Sequence, residues 1–371
     1  MDVPAPPTRP ARARATLLSL AQAAGVSIST VSRALRGDAR ISPATRRRID
    51  ALAAEAGYAP NALARTLLGG RSGLIGLVLG PMQNPFYPAL LEELVAQAAE
   101  RGLRLLLLHA GEGSMDDRTA QALLQYQVDG CLVTSAALPS RIAAICAGND
   151  VPLVMINRVA REHGAAVCCD NAEGGARLAD FLLAGGHRRF AVVGGNADTS
   201  TSLDRERGFV ERLAARGVAL ACRFDGGATR EGGWAAGERI AAMPPGERPD
   251  AVFAVGDGLA MGLIDALRAG AVPVGASVEG EGVEAAGAVS VVGFDGVAAA
   301  LRPPYALTTI VQPLRAVVRR GLDLLLARME DPAAPDELVT LRGTLHVGRS
   351  ARLPAGAATG ASHGDAGRET G

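Results

Sequence analysis

A chain of 371 residues, 48% hydrophobic and 20% charged, is long enough for two or three globular domains and too hydrophobic to stay unfolded. It has no run of 18 uninterrupted apolar residues, so no transmembrane span is expected. Its proline- and arginine-rich start, MDVPAPPTRPARARA, lacks the apolar stretch of a secretory signal, which points to a cytoplasmic protein. The net charge of zero hides an asymmetry: residues 1–72 carry eleven Arg against four acidic residues, so a segment of charge +7 precedes a remainder of −7, as expected of a nucleic-acid-binding module on an acidic body.

In chain order, residues 1–14 read as a disordered basic arm and residues 15–60 as a helical headpiece. LLSLAQAA places Leu17, Leu20, Ala21 and Ala24 on one face of a short helix that Gly25 ends. Ser27 is a suitable N-cap for a second helix whose inner face holds Val31 and Leu35, leaving Ser29, Thr30, Ser32, Arg33 and Arg36 to point elsewhere. Two short helices, a glycine turn and a polar, basic outer face make a helix-turn-helix, and Ile28, Ser29 and Arg33 on its second helix are the base-reading candidates. A third helix starts at Ser42 and Pro43, buries Ile49, Leu52, Ala53 and Ala56, and stops at Gly57. Its Arg46–Arg48 run is either a solvated face or a phosphate contact. Residues 61–72 follow as a hinge helix and linker, too short to hold a helix alone in water.

From Leu74 the pattern becomes apolar runs separated by helical stretches, and after Gly174 the alternation restarts. Two successive sets of β-α units predict two parallel-sheet subdomains within residues 73–350: an N-subdomain of about 73–170 plus 306–332, and a C-subdomain of about 171–302 plus 336–350. Residues 351–371 read as a disordered tail, and VGASVEGEGVEAA, about 274–286, as a surface loop. Open α/β sheets bind ligands beyond the carboxyl ends of their strands, which directs attention to Asn84, Asn157 with Arg158, Asp170 with Asn171, Asp257 and Asp295. Cys131, Cys146, Cys168, Cys169 and Cys222 form neither a CxxC pair nor a zinc spacing, and the adjacent Cys168 and Cys169 read as strand packing. The five histidines are scattered without a nucleophile elbow, P-loop or metal motif, so no enzyme, cofactor or metal is expected.

GVSISTVSRAL, ISPATRRRI, GYAPNALARTL, RSGLIGLV, NPFY, VDGCLV, DNAEGG, GHRRFAVVGG, RERGF, AVFAVGD, VSVVGFDG and LTTIVQP follow one another across about residues 15–350. In this order and spacing the chain resembles the LacI/GalR family of bacterial transcriptional regulators. The resemblance implies an all-α helix-turn-helix headpiece on an α/β body of two parallel-sheet subdomains like those of periplasmic binding proteins. It also implies a homodimer that binds a near-palindromic operator in double-stranded DNA, with no membrane partner. It places Ser27, Ile28, Ser29, Thr30, Ser32 and Arg33 on the recognition helix, and Asn61, Ala64, Arg65 and Leu67 on a minor-groove hinge helix. Leu67 is there either as a wedge between base steps or as packing between paired hinge helices.

For the body, the resemblance implies effector contacts from Arg158, Arg205, Asp257 and Asp295, with Asn84 and Asn157 at strand ends. Phe86 lines either the cleft or the dimer face, and Trp234 belongs to either the ligand pocket or the subdomain core. An Arg fork with two carboxylates suits a sugar or other polyol. A nucleoside or purine acting as corepressor is the alternative effector, and a sugar-binding transport protein the remote alternative function. Gly256, Gly296 and Asn157 depart from residues common in the family, Asn, Asp and Asp respectively, and leave the effector open. Repression relieved by ligand and repression requiring it are both compatible with the sequence.

Overall fold

The computed structural model describes residues 15–58, 71–80, 82–109, 123–134, 139–157, 164–196, 199–275 and 287–353. The chain divides into two compact units, Met1–Ser72 and Gly73–Gly371. The basic arm, the proposed hinge residues Asn61, Ala64, Arg65 and Leu67, and Arg158 lie outside the described residues.

The first unit contains α1 (Leu17–Ala24), α2 (Ile28–Leu35) and α3 (Pro43–Glu55). Each helix begins on a side-chain cap. Thr16 and Ser19 form a reciprocal capping box, the Ser27 hydroxyl accepts from Thr30 N at 3.2 Å, and the Ser42 hydroxyl accepts from Thr45 N at 3.2 Å. Gly25, at φ 59, ends α1 in the left-handed region. Leu20, Ala21, Ala24, Val31, Ala34, Ile49 and Ala53 form the core, with Leu17, Leu35 and Leu52 half-buried around it. Small and large side chains alternate in this core, Val31, Ile49 and Leu20 being as enclosed as the alanines between them; Ala56, expected on the inner stripe, is exposed as the C-cap of α3. Two arginines of the run also bond within the headpiece. Arg46 donates to Asp38 O at 2.8 Å and Arg48 donates to Ala24 O, one of the carbonyls that the end of α1 leaves open, while Arg47 is exposed.

The second unit holds two six-stranded sheets. The first is built from β1 (Leu74–Leu79), β2 (Arg104–His109), β3 (Gly130–Val133), β4 (Leu153–Ile156) and β5 (Ala165–Cys169), with α4 (Phe86–Glu100) and α5 (Pro139–Ala147) between strands. The second follows as α6 (Asn171–Ala184), β6 (Phe190–Gly194), α7 (Ser200–Ala215), β7 (Leu220–Asp225), α8 (Arg230–Ala241), β8 (Ala251–Ala254), α9 (Asp257–Ala269), β9 (Ser290–Asp295), α10 (Ala298–Leu301) and β10 (Thr308–Val311). The chain ends its described course in α11 (Leu314–Glu330), β11 (Leu338–Leu341) and β12 (Thr344–His346). The strand orders are β11-β5-β4-β3-β1-β2 and β12-β10-β9-β8-β6-β7, the same doubly wound pattern twice. All pairings between named strands are parallel except β10 with β12.

The topology corrects the expected subdomain boundaries. Residues 306–332 are expected whole in the first half, yet β10 pairs with β9 in the second sheet and only α11 packs on β3, β4 and β5. Residues 336–350 are expected in the second half, yet β11 pairs with β5 in the first sheet, and β12 alone returns to the second. Two more corrections concern edges. Ala351 is fully buried and Arg352 N donates to Ser290 Oγ at 2.9 Å, so residues 351–353 are docked rather than part of a tail. Val274 bridges Val289 and Gly275 N donates to Val289 O at 3.0 Å, so the expected surface loop cannot begin before 276. All five cysteines are free thiols; burial pushes Cys168 up to about 11 and Cys169 up to about 12, which leaves them unreactive packing groups on β5. Among the described residues no helix is long and apolar enough to cross a membrane, and no cluster of His, Cys, Asp and Glu could hold a metal ion.

Candidate functional site

In the headpiece, α2 turns Val31 and Ala34 inward and leaves Ile28, Ser29 and Arg33 exposed, with Thr30 and Ser32 at the margin. An isoleucine 46% exposed at the first position of a capped helix has no packing explanation inside this unit. Ser27 is spent on the cap: its hydroxyl also bonds Ser29 Oγ at 2.8 Å and Thr30 Oγ1 at 2.9 Å. Arg36 Nε donates to Ser32 O at 3.1 Å along the same helix. The outer face therefore offers an apolar side chain, hydroxyls and guanidinium groups, the chemistries that contact thymine methyls, base edges and phosphates.

In the body, the buried face of α7 carries Thr201, Arg205, Gly208, Phe209 and Leu213, so helical spacing alone sends Arg205 inward. Its charge is met on three sides. Nη2 lies 2.9 Å from Asp295 Oδ1, Nη1 donates to Val255 O at 2.7 Å, Nε donates to Asn171 Oδ1 at 2.8 Å, and the guanidinium stacks 3.9 Å over the Phe294 ring. These partners come from the carboxyl ends of β8 and β9 and the start of α6. All three guanidinium nitrogens thus have a partner within the fold.

Asp295, the last residue of β9, has φ 126, a conformation that costs about 1–3 kcal/mol for a non-glycine residue unless its surroundings impose it. Here they do. Asp257, the first residue of α9, accepts from Gly296 N at 2.7 Å and Val297 N at 2.8 Å through Oδ2, and from Thr309 Oγ1 at 2.6 Å through Oδ1. Gln312 Nε2 donates to Asp295 Oδ1 at 2.7 Å. Gly296, at φ 75, is required by this turn, because a Cβ there would lie 2.7 Å from Val311 Cα. Burial and then the neighbouring Asp295 push the Asp257 carboxyl up to about 8, against the three donors that favour its charged form. Asp257 is wholly enclosed, so it shapes the turn that presents Asp295 and has no face for a ligand.

The structure thus brings Arg205, Asp257 and Asp295 together and does not bring the other candidates to them. Asn84 accepts from Phe86 N at 3.0 Å and starts α4. Phe86 is buried in the hydrophobic core, edge-on to Tyr87, and lines no exposed face of this chain. Trp234 is 40% exposed on α8, which excludes it from the subdomain core. Asn157 follows β4 with φ 61; it is buried, and its Oδ1 has no hydrogen-bond partner among the described residues. Asn171 is among the polar strand ends that the sequence singles out, whereas Thr309 and Gln312 are not and stand there only as letters of LTTIVQP.

Gly256, which precedes α9, stands at φ −158, open to any residue, and a Cβ there would lie 3.6 Å from Asp295 Oδ2, an ordinary contact. Glycine at this place leaves the space beside the carboxylate unfilled.

Comparison with known proteins agrees with this architecture. Residues 16–61 match the profile of bacterial regulatory proteins, lacI family, and residues 179–351 that of a periplasmic binding protein-like domain. The chain is 30% identical over 335 residues to the ribose operon repressor of Escherichia coli (strain K12), spanning 88% of this chain and 97% of that repressor. Its fold is similar to that of the lac repressor dimer bound to operator and the anti-inducer ONPF, with TM-score 0.79 and 22% identity over 91% of this chain and 99% of the repressor. It is also similar to the transcriptional regulator CelR in its cellobiose complex, with TM-score 0.64 and 28% identity over 91% of this chain and all of that one. A capped helix-turn-helix with an outward-facing polar helix, a body of two doubly wound sheets and a match along nearly the whole chain establish that the protein belongs to the lacI family of bacterial regulatory proteins.

Proposed function

We propose that this regulator binds operator DNA through α2 as a homodimer and binds a sugar or sugar derivative in its body, the ligand setting its affinity for DNA. The observation that carries the effector reading is the enclosed Arg205–Asp295 pair at the carboxyl ends of β8 and β9. A planar donor fork beside a carboxylate acceptor matches the alternating donor and acceptor demands of vicinal hydroxyls. The ribose operon repressor and the cellobiose-bound CelR, both matched along most of their length, support a carbohydrate class. The relatives are regulators, and the chain is read as a regulator without a reaction of its own.

The ligand can move DNA affinity only through its differential affinity for two states of the body. Calorimetry of the full-length protein with a panel of pentoses, hexoses, β-linked disaccharides and nucleosides tests the effector class. The expected result is binding of a carbohydrate that Arg205→Lys weakens at least tenfold, since lysine keeps the charge and loses the fork. Binding of a nucleoside alone would replace the carbohydrate reading, and undiminished carbohydrate binding by the Lys variant would remove Arg205 from the site.

A further inference from the structure

The chain passes between the two sheets three times: at Asp170 between β5 and α6, at Gln312–Pro313 between β10 and α11, and at Arg342–Gly343 between β11 and β12. The three passages lie side by side. Asp170 N donates to Leu341 O at 2.8 Å, Arg177 Nη1 donates to Gly343 O at 2.8 Å, and a Cβ on Gly343 would lie 3.1 Å from Val311 O and 3.3 Å from Cys169 Sγ. Any change in the angle between the sheets must be absorbed here, because these are the covalent links between the two halves.

Two of these passages are hydrogen-bonded to the Arg205–Asp295 pair itself. The first is held through Asn171, which opens α6 directly after Asp170 and accepts from Arg205 Nε at 2.8 Å. The second is held through Gln312, whose Nε2 donates to Asp295 Oδ1 at 2.7 Å and whose backbone N donates to Asp295 O at 3.2 Å, while Leu314 N donates to Gln312 O at 2.8 Å at the start of α11. One amide acts as acceptor to the cation and the other as donor to the anion, so each side of the ion pair is wired to a different inter-sheet link. A ligand hydroxyl that bonds Asp295 Oδ1 competes with Gln312, and one that draws the guanidinium toward itself pulls on Asn171.

We infer that Asn171 and Gln312 are positioning residues that transmit the state of the Arg205–Asp295 pair to the crossovers between the two sheets. This rests on the assignment of that pair as the effector contact, but its test needs no effector. Hydrogen–deuterium exchange of the ligand-free full-length protein is compared for the wild type, Gln312→Glu, Asn171→Ala and Asn171→Asp. Gln312→Glu keeps the shape and removes the donor, and Asn171→Asp keeps the acceptor that Asn171→Ala removes.

The expected result is at least tenfold faster exchange of the amides of Asp170, Gln312 and Leu314 in Gln312→Glu and Asn171→Ala. The amides of β8 stay at the wild-type rate, and Asn171→Asp restores the wild-type pattern. Unchanged crossover exchange in Gln312→Glu would overturn the inference. So would uniform acceleration across both sheets, which marks a merely structural role. Should the sugar panel fail while the crossovers respond, the effector class falls and the relay stands.

Discussion

Thr309 Oγ1 donates to Asp257 Oδ1 at 2.6 Å across the second sheet, from β10 to the first turn of α9, in a place with no access to solvent. This bond completes the enclosure of a carboxyl group that burial and Asp295 push up to about 8. A carboxyl whose folded value exceeds its unfolded value of 3.8 stabilises the fold fully below about pH 4, and the contribution is lost as the pH rises through 8. Asp257→Asn has the same shape, remains neutral and can offer its carbonyl to the Gly296 and Val297 amides. The Asn variant should therefore gain on the wild type in thermal unfolding as pH rises from 4 to 8, and level off above. Parallel profiles would show that the three donors outweigh burial.

His187 should act with the opposite sign. It is enclosed behind β6, neither ring nitrogen has a hydrogen-bond partner among the described residues, and burial lowers it to about 4 despite the Asp250 carboxylate 3.8 Å away. A histidine depressed from 6.5 contributes stability that is complete above pH 6.5 and lost as pH falls through 4. His187→Leu should flatten that acid limb, read as denaturation midpoint against pH. An acid limb of unchanged steepness would assign it to other groups.

The sheets were legible where strands are fully buried, because VVGFD and FAVVG read as unbroken apolar runs whatever their partners. The edge strand β7, LACRFD, carries no such run, because its side chains alternate between half-buried and exposed and include a charge pair. The crossover assignments failed for a related reason: β10 and β11 are four residues each, and local pattern cannot say which of two similar sheets a short strand joins. Arg205 is named in the sequence by the resemblance alone, and the fold shows it on the buried face of α7. Asp257 is named by the resemblance as an effector contact and here grips a turn; the two duties look alike in sequence. Gln312 could not be found by pattern, since only the fold brings it to Asp295.

Gly256→Asn tests what surrounds that carboxylate. The backbone at Gly256 suits any residue, and asparagine would cap α9, so thermal stability should stay the same or rise by a few tenths of a kcal/mol. The new side chain would occupy the space beside Asp295 Oδ2 and should change which sugars bind, by about tenfold for the preferred one. An identical preference order in calorimetry would place Gly256 outside the ligand space.

On the headpiece, Arg33→Ala should lower affinity for the selected operator by about 1–3 kcal/mol while weakening binding to random DNA much less. Ser27→Ala should instead cost about 1 kcal/mol of headpiece stability through the lost cap. Competition binding at fixed salt distinguishes the two, and unchanged discrimination by the Arg33 variant would remove its base-reading role.

Reading of a DNA sequence by α2 on behalf of a ligand-controlled body is checked by selecting genomic fragments with the purified full-length protein at two salt concentrations and sequencing the DNA retained. The expected result is a short near-palindrome whose enrichment survives the higher salt, because base contacts depend less on counterion release than phosphate contacts do. Retention without a shared sequence, lost at the higher salt, would contradict it.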